Sequence, residues 1–149
     1  MRNRVFRVVA AFGAAMLAVA AGAQEVEQVS SPYQGEYAYT VGTDLTPHVS
    51  IDGVQIDALR IAPREGEEVT ADRDVQVGVA STFTNNGSKT VHVLVVLLLE
   101  DEQGNSLERL ELASLRVPSG KTRSGDQQFS VRGRVVLDLR KVYLFCELD

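Results

Sequence analysis

Apolar residues alternate with polar or small ones along several stretches, most regularly over residues 75–84. One face of this stretch carries Val75, Val77, Val79, Ser81 and Phe83. A period of two with many β-branched side chains is typical of a strand that buries one face. The pattern therefore predicts a strand over these ten residues.

A second alternating stretch changes phase in its middle. Val54, Ile56 and Ala58 alternate with polar neighbours, and Leu59 and Ile61 follow one residue out of phase. One extra residue in a strand shifts the following side chains to the opposite face, as a β-bulge does. We predict a bulged strand that ends near Pro63.

The most apolar stretch is residues 91–99, in which His92 is the single polar side chain. It is too short for a membrane helix, which needs about 20 residues, and a buried helix usually runs about ten residues or more. Turn-forming residues flank it at 85–90 and 103–105. We therefore favour a central strand buried on both faces over a buried helix.

The remaining stretches extend the same β pattern. Residues 122–131 and the C-terminal 135–148 are predicted as strands, with a turn at 132–134 between them, and the mixed segment 107–112 is open to a helical turn. Six or more short strands at a spacing of about ten residues predict an antiparallel, immunoglobulin-like β-sandwich. The disulfide and tryptophan of antibody domains are absent, because the chain has one cysteine and no tryptophan.

One part of the chain resembles a known kind of domain. Residues 79–105, which include FTNNGSKTVHVLVVLLLEDEQGN, and the later LRVPSGKT are similar to a hairpin and a loop in bacterial extracytoplasmic Ig-like domains of the FxLYD and CARDB kinds. The pair Glu100-Asp101 follows two leucines, where FxLYD domains have an aromatic residue before the aspartate. The resemblance implies a sandwich used for adhesion, spacing or partner binding, and it carries over no catalytic residue.

The N-terminus has the three parts of a secretory signal. Arg2, Arg4 and Arg7 precede an uncharged, alanine-rich stretch that ends in Ala21-Gly22-Ala23. This order predicts a cleaved signal peptide over 1–23, with an uncleaved anchor as the alternative. The chain then divides into an irregular N-terminal segment, 24–47, and a sandwich domain, 48–149. Alternation over residues 37–41 leaves a short edge strand open as an alternative within the first of these. We expect a periplasmic or secreted protein with no transmembrane segment after cleavage.

Charge narrows the class of partner. The whole chain has a net charge of −5, and loss of the three signal arginines leaves 20 acids against 12 bases, a net −8. This balance argues against nucleic acid or anionic lipid as the main partner. The export signal, the strand pattern and the lack of catalytic residues lead us to expect another envelope protein or polymer as partner. Residues 116–141 nevertheless hold seven bases and two acids. Either they neutralise the acidic first half or they form a basic docking face.

Few residues in the chain suggest chemistry. His48, His92 and Cys146 are the only histidine and cysteine side chains, and two histidines with one cysteine are the ligands of a blue-copper site. Only three residues follow Cys146 and no methionine follows the signal, so we predict no metal and no cofactor and keep a metal or redox carrier as an alternative. No G-x-S-x-G motif occurs, and we predict a protein without catalytic residues.

The N-terminal segment supplies the residues predicted to bind a partner. Tyr33, Tyr37 and Tyr39 lie close together in a segment with few other apolar residues, and tyrosine is frequent at protein contacts. The alternative is that they pack onto their own sandwich. Strand addition at a sheet edge is a second route to binding. A structural subunit whose segment 24–47 inserts into a neighbour is the other function considered.

Overall fold

The computed structural model describes residues 24–149, and the predicted signal peptide at 1–23 lies outside the described residues. The described part consists of strands and one short helix. In chain order these are β1 (Glu27–Val29), β2 (Tyr33–Ala38), β3 (Asp44–Leu45), β4 (Val49–Ile51), β5 (Val54–Pro63), β6 (Asp74–Asn85), β7 (Val91–Glu100), β8 (Ser106–Glu111), β9 (Leu115–Val117), β10 (Thr122–Arg132), α1 (Gly133–Asp138) and β11 (Lys141–Leu148).

The strands form two sheets. The first has the order β1-β4-β5-β6-β10, with β3 beside β5, and the second has the order β2-β11-β7-β8, with β9 beside β7. All pairs are antiparallel except β1 with β4. In immunoglobulin terms β5, β6 and β10 follow strands A, B and E, and β7, β8 and β11 follow C, C′ and F. This arrangement confirms the predicted all-β, immunoglobulin-like sandwich.

The core lies between the two sheets. Alternate residues of β6, β7 and β11 point into it, as the periodicity of the first of these predicts. The buried set includes Val75, Val77, Val79 and Phe83 from β6, Val93, Val95, Leu97 and Leu99 from β7, and Val142, Leu144 and Cys146 from β11. Burial of these side chains is the main stabilising contribution, because the single cysteine forms no disulfide.

The predicted bulge is confirmed in β5. The register with β6 shifts between Ile56 and Ala58, so that the buried positions change from Val54 and Ile56 to Leu59 and Ile61. The carboxylate of Asp57, at the shift, accepts a hydrogen bond of 2.6 Å from the Thr84 hydroxyl.

The segment 24–47 is not irregular, contrary to the prediction, because it contains β1, β2 and β3. β2 pairs with β11 along its whole length and takes the sheet position that strand G has in immunoglobulin domains. The pairing joins residues about 109 positions apart, as between Tyr143 and Gln34. A short strand held by so distant a partner leaves little local periodicity.

Two further predictions are wrong in detail. Residues 133–138, predicted as a turn and the start of a strand, form α1, and the predicted C-terminal strand begins only at β11; the segment 107–112, left open to a helical turn, is mostly strand β8. α1 begins at Gly133, whose N–H donates to the Arg73 carbonyl at 2.7 Å. β7 is a central strand as predicted, but it is buried on one face only, since Leu94 on its other face is 37% exposed.

Candidate binding surface

The outer face of β7 is apolar along most of its length. Leu94 is exposed, and Val96 and Leu98 are half-buried on the side that points away from the core. Within the described residues no element covers them, since the sandwich has only these two layers. The sequence is apolar at every position from Val93 to Leu99, so it is compatible with a strand that buries either face.

The neighbouring strand β11 extends this apolar surface. The register places Phe145 opposite Val96 and Tyr143 opposite Leu98, and both aromatic side chains are half-buried. Side chains opposite each other on one face of an antiparallel pair lie in contact distance. We use the name apolar face for Leu94, Val96, Leu98, Tyr143 and Phe145.

Charged and polar side chains of both signs surround the apolar face. On the β2 side, Lys141 pairs with Glu36 at 3.5 Å, and the Tyr143 hydroxyl donates to the Gln34 amide oxygen. These ion-pair groups are exposed and contribute little to stability. They lie at the rim of the apolar face, and the exposed Glu147 stands opposite Leu94 at its other end.

The opposite rim lies on β8. Arg109 and Glu111 form an ion pair at 2.9 Å and stand opposite Leu98 and Val96. An apolar centre with a polar rim is the composition of a protein–protein contact. The surface is therefore suited to bury apolar side chains against a partner protein, and the charged rim can orient that partner.

The structure brings Tyr33 and Tyr37 together and separates them from this face. They lie on the core side of β2, and their hydroxyls share a hydrogen bond above Gly35. A Cβ at Gly35 would lie 2.5 Å from the Tyr33 hydroxyl, so glycine leaves the room for this pair. Burial, followed by the bond to Tyr33, raises the pKa of Tyr37 well above its usual value. Their predicted role in partner binding stays a prediction.

Tyr39 belongs to the core, so it cannot share a contact surface with the other two tyrosines. It is 6% exposed, and its hydroxyl accepts the Ile61 N–H at 2.7 Å and donates toward the Thr43 carbonyl at 2.8 Å. Burial raises its pKa, against a smaller lowering by the Ile61 backbone bond. Its function in the fold is to attach the end of β2 to β5.

The three residues considered for metal binding are not brought together. Cys146 points into the core, and burial raises the pKa of its thiol to about 12. His92 lies on the exposed face of β7, and His48 precedes β4 in the other sheet. In the part of the chain that the structure describes, no three metal-ligating side chains form a cluster.

Sequence reasoning missed the apolar face. A run of apolar residues on both faces of β7 is equally compatible with a buried strand and with an exposed contact surface. The available signal was the alternation of Tyr143 and Phe145 with the buried residues of β11. Large apolar side chains on the outer face of two adjacent strands predict an apolar surface there.

Comparisons with known proteins add little to this description. Neither a family model nor a curated protein matches the sequence. Among solved structures the chain is similar to part of a beta-glucuronidase from glycoside hydrolase family 2, with a TM-score of 0.38 and 12% identity. The match covers 56% of this chain and 8% of that chain, and it carries no argument about function. The resemblance to FxLYD and CARDB domains stays a prediction.

One observation concerns membranes. Among residues 24–149, no helix is both long and apolar enough to cross a bilayer.

Proposed function

We propose that the protein is an exported, non-catalytic binding module that contacts another envelope protein through the apolar face. The observation that carries the proposal is the contiguous apolar surface on β7 and β11, with Leu94 37% exposed. Isolated exposed apolar residues are common on proteins, whereas a rimmed group of five is typical of an interaction site.

The form of the surface favours a protein partner. It is the face of a sheet, with two aromatic side chains and with charges of both signs around it. Aromatic residues within a dry centre contribute most of the binding energy at such contacts. A polyanionic polymer would instead need a surface with only positive charges.

Export rests on the signal-like sequence at 1–23. If it is cleaved, mass spectrometry of protein recovered from the cell envelope or medium would give a chain that begins at Gln24. Protein recovered only with an intact N-terminus would contradict a cleaved signal and favour the anchored alternative.

Photo-crosslinking tests the binding surface. A photoreactive amino acid at Leu94 should yield one discrete adduct in the native envelope, and the same group at exposed Arg60, on the other sheet, should not. The captured protein, purified, should then bind the wild-type module directly. Val96→Asp should weaken this binding by about tenfold or more, because a carboxylate would be desolvated in the contact.

The reverse result is also clear. Equal adducts from Leu94 and Arg60, or equal binding by wild type and Val96→Asp, would show that the apolar face is not the contact. Circular dichroism of the variant checks the fold, and Val96 is an outward-facing residue whose replacement leaves the core intact.

A further inference from the structure

A second surface, on the opposite sheet, is the free edge of β10. This strand has β6 on one side, and it is the last strand of its sheet. β10 corresponds to strand E of immunoglobulin constant domains, where strand D pairs with the free side of strand E. No described strand occupies that position.

The register shows which backbone groups of β10 are free. The Asn85 N–H donates to the Lys121 carbonyl at 2.9 Å, and hydrogen-bonded pairs recur at every second residue of an antiparallel ladder. The amides of the odd-numbered residues therefore face β6. Those that face away, with their carbonyls, belong to Ser124, Asp126, Gln128 and Ser130. We call these four residues the β10 edge.

This edge lacks several of the features that usually protect an edge strand, although Arg123, Asp126 and Arg132 place charges along it. Natural sheets use short edge strands, bulges, prolines or lysines to prevent pairing with other chains. β10 has eleven residues in unbroken register with β6 and contains neither proline nor lysine. The other edge strands described, β1, β2, β3, β8 and β9, have between two and six residues. β10 is thus the edge best suited to accept another strand.

A small slot lies beside the β10 edge, between the two sheets. It has a volume of about 120 Å³ and is lined by Val79, Leu112, Leu115 and Gly125 among others. The Ala113 N–H donates to the Gln127 side chain at 2.8 Å and holds the 112–115 segment against the strand. The slot is too small for a typical ligand. It has the size of one aliphatic side chain, which strand addition would supply.

Charge indicates the kind of strand that fits. Lys121 and Arg123 stand at the start of β10 and Arg132 and Arg134 at its end, all exposed. Arg132 pairs with Asp74 at 3.3 Å, and within the described residues the other three form no ion pair. These two basic ends attract acidic residues of a partner segment locally, against the net negative charge of the whole protein.

A second copy of β10 fits less well. Antiparallel pairing of two such strands would place Lys121 and Arg123 of one copy beside Arg132 and Arg134 of the other. Like charges in these positions repel. We propose that the β10 edge binds an extended acidic segment of a partner protein by strand addition, with one of its aliphatic side chains in the slot.

Nuclear magnetic resonance of the ¹⁵N-labelled protein tests this directly. The probe is a capped seven-residue peptide in which threonine and valine alternate between two terminal glutamates. Its addition should slow hydrogen exchange at the amides of Ser124, Asp126 and Gln128. The intervening amides, already bonded to β6, should change little. A peptide with terminal lysines should bind about tenfold more weakly, and the difference in affinity between the two peptides should shrink at high salt.

Substitutions at one position separate backbone from side chain. Gln128→Pro removes an outward N–H without removing a bond to β6, so the fold should persist and peptide affinity should fall by about tenfold. Gln128→Ala keeps the N–H and should bind as wild type does. Persistent protection of the odd-numbered β10 amides would verify that the proline variant is folded.

Three outcomes would overturn the proposal. Equal peptide affinity of the proline and alanine variants would exclude strand addition at β10. Changes in amide hydrogen exchange that are confined to another surface would exclude it as well. Edge protection that grows with protein concentration without peptide would identify a second copy as the occupant. Val96→Asp should leave peptide binding unchanged, so this test fails or succeeds separately from that of the apolar face.

Discussion

Asn85 is a buried amide on which three separate segments depend. It is 1% exposed at the end of β6. Its Nδ2 donates to the Lys89 carbonyl at 2.7 Å and to the Val117 carbonyl at 3.0 Å, and its Oδ1 accepts the Gly87 N–H at 2.9 Å. Because Val117 belongs to β9 of the other sheet, the side chain joins the two sheets as well as the turn after β6.

Asn85→Ala should therefore destabilise the protein strongly. Each of the three hydrogen bonds contributes about 1 kcal/mol net, and the carbonyl of fully buried Val117 would lose a partner at an added cost of about 1–2 kcal/mol. We expect the free energy of unfolding to fall by about 3–5 kcal/mol. Asn85→Asp should be no better, because a carboxylate cannot donate to either carbonyl.

Urea unfolding followed by circular dichroism measures this change, with the midpoint and slope fitted separately. The matched control is Asn86→Ala, since Asn86 is exposed and only its backbone N–H is bonded, to the Gly53 carbonyl. The control should change stability by less than about 0.5 kcal/mol. If Asn85→Ala lost less than about 1 kcal/mol, or matched the control, the network would not carry the stability assigned to it.

Three other changes test the fold at separate points. Gly133→Ala should prevent proper folding or cost more than about 3 kcal/mol, because its Cβ would lie 1.9 Å from the Thr70 carbonyl oxygen; a cooperative, near-wild-type melting curve would contradict this. Tyr39→Phe should cost about 1–3 kcal/mol in urea unfolding by leaving the buried Ile61 N–H unpaired, and a neutral effect would mean that water replaces the hydroxyl. Burial raises the thiol pKa of Cys146 from 9.0 to about 12, so the native state binds this proton more tightly than the unfolded state does. The resulting stabilisation is complete below pH 9 and should be lost as the pH rises to 12. Cys146→Ala should flatten that decline by up to about 1.4 kcal/mol per pH unit, and identical slopes between pH 9 and 10 would refute it.

The sequence predicted features that depend on neighbouring residues. The alternation over 75–84 predicted the direction of the side chains in β6. The phase change after Ala58 predicted a bulge in β5 within two residues of the observed register shift between Ile56 and Ala58. Both follow from the two-residue period of a strand, in which position along the chain decides the face. The all-β class followed from the recurrence of such stretches.

Other features depended on which strands meet. Residues 91–99 predicted a central strand correctly, but only the two-layer arrangement leaves one side of it uncovered and so creates the apolar face. Tyr39 was grouped with Tyr33 and Tyr37 by proximity in sequence, whereas pairing with distant Ile61 buries it in the core. The free edge of β10 likewise exists only because no described strand follows it in the sheet. The periodicity of a strand shows which side chains share a face. Whether another layer packs on that face, and which strand pairs with its edge, depends on residues far away in the chain.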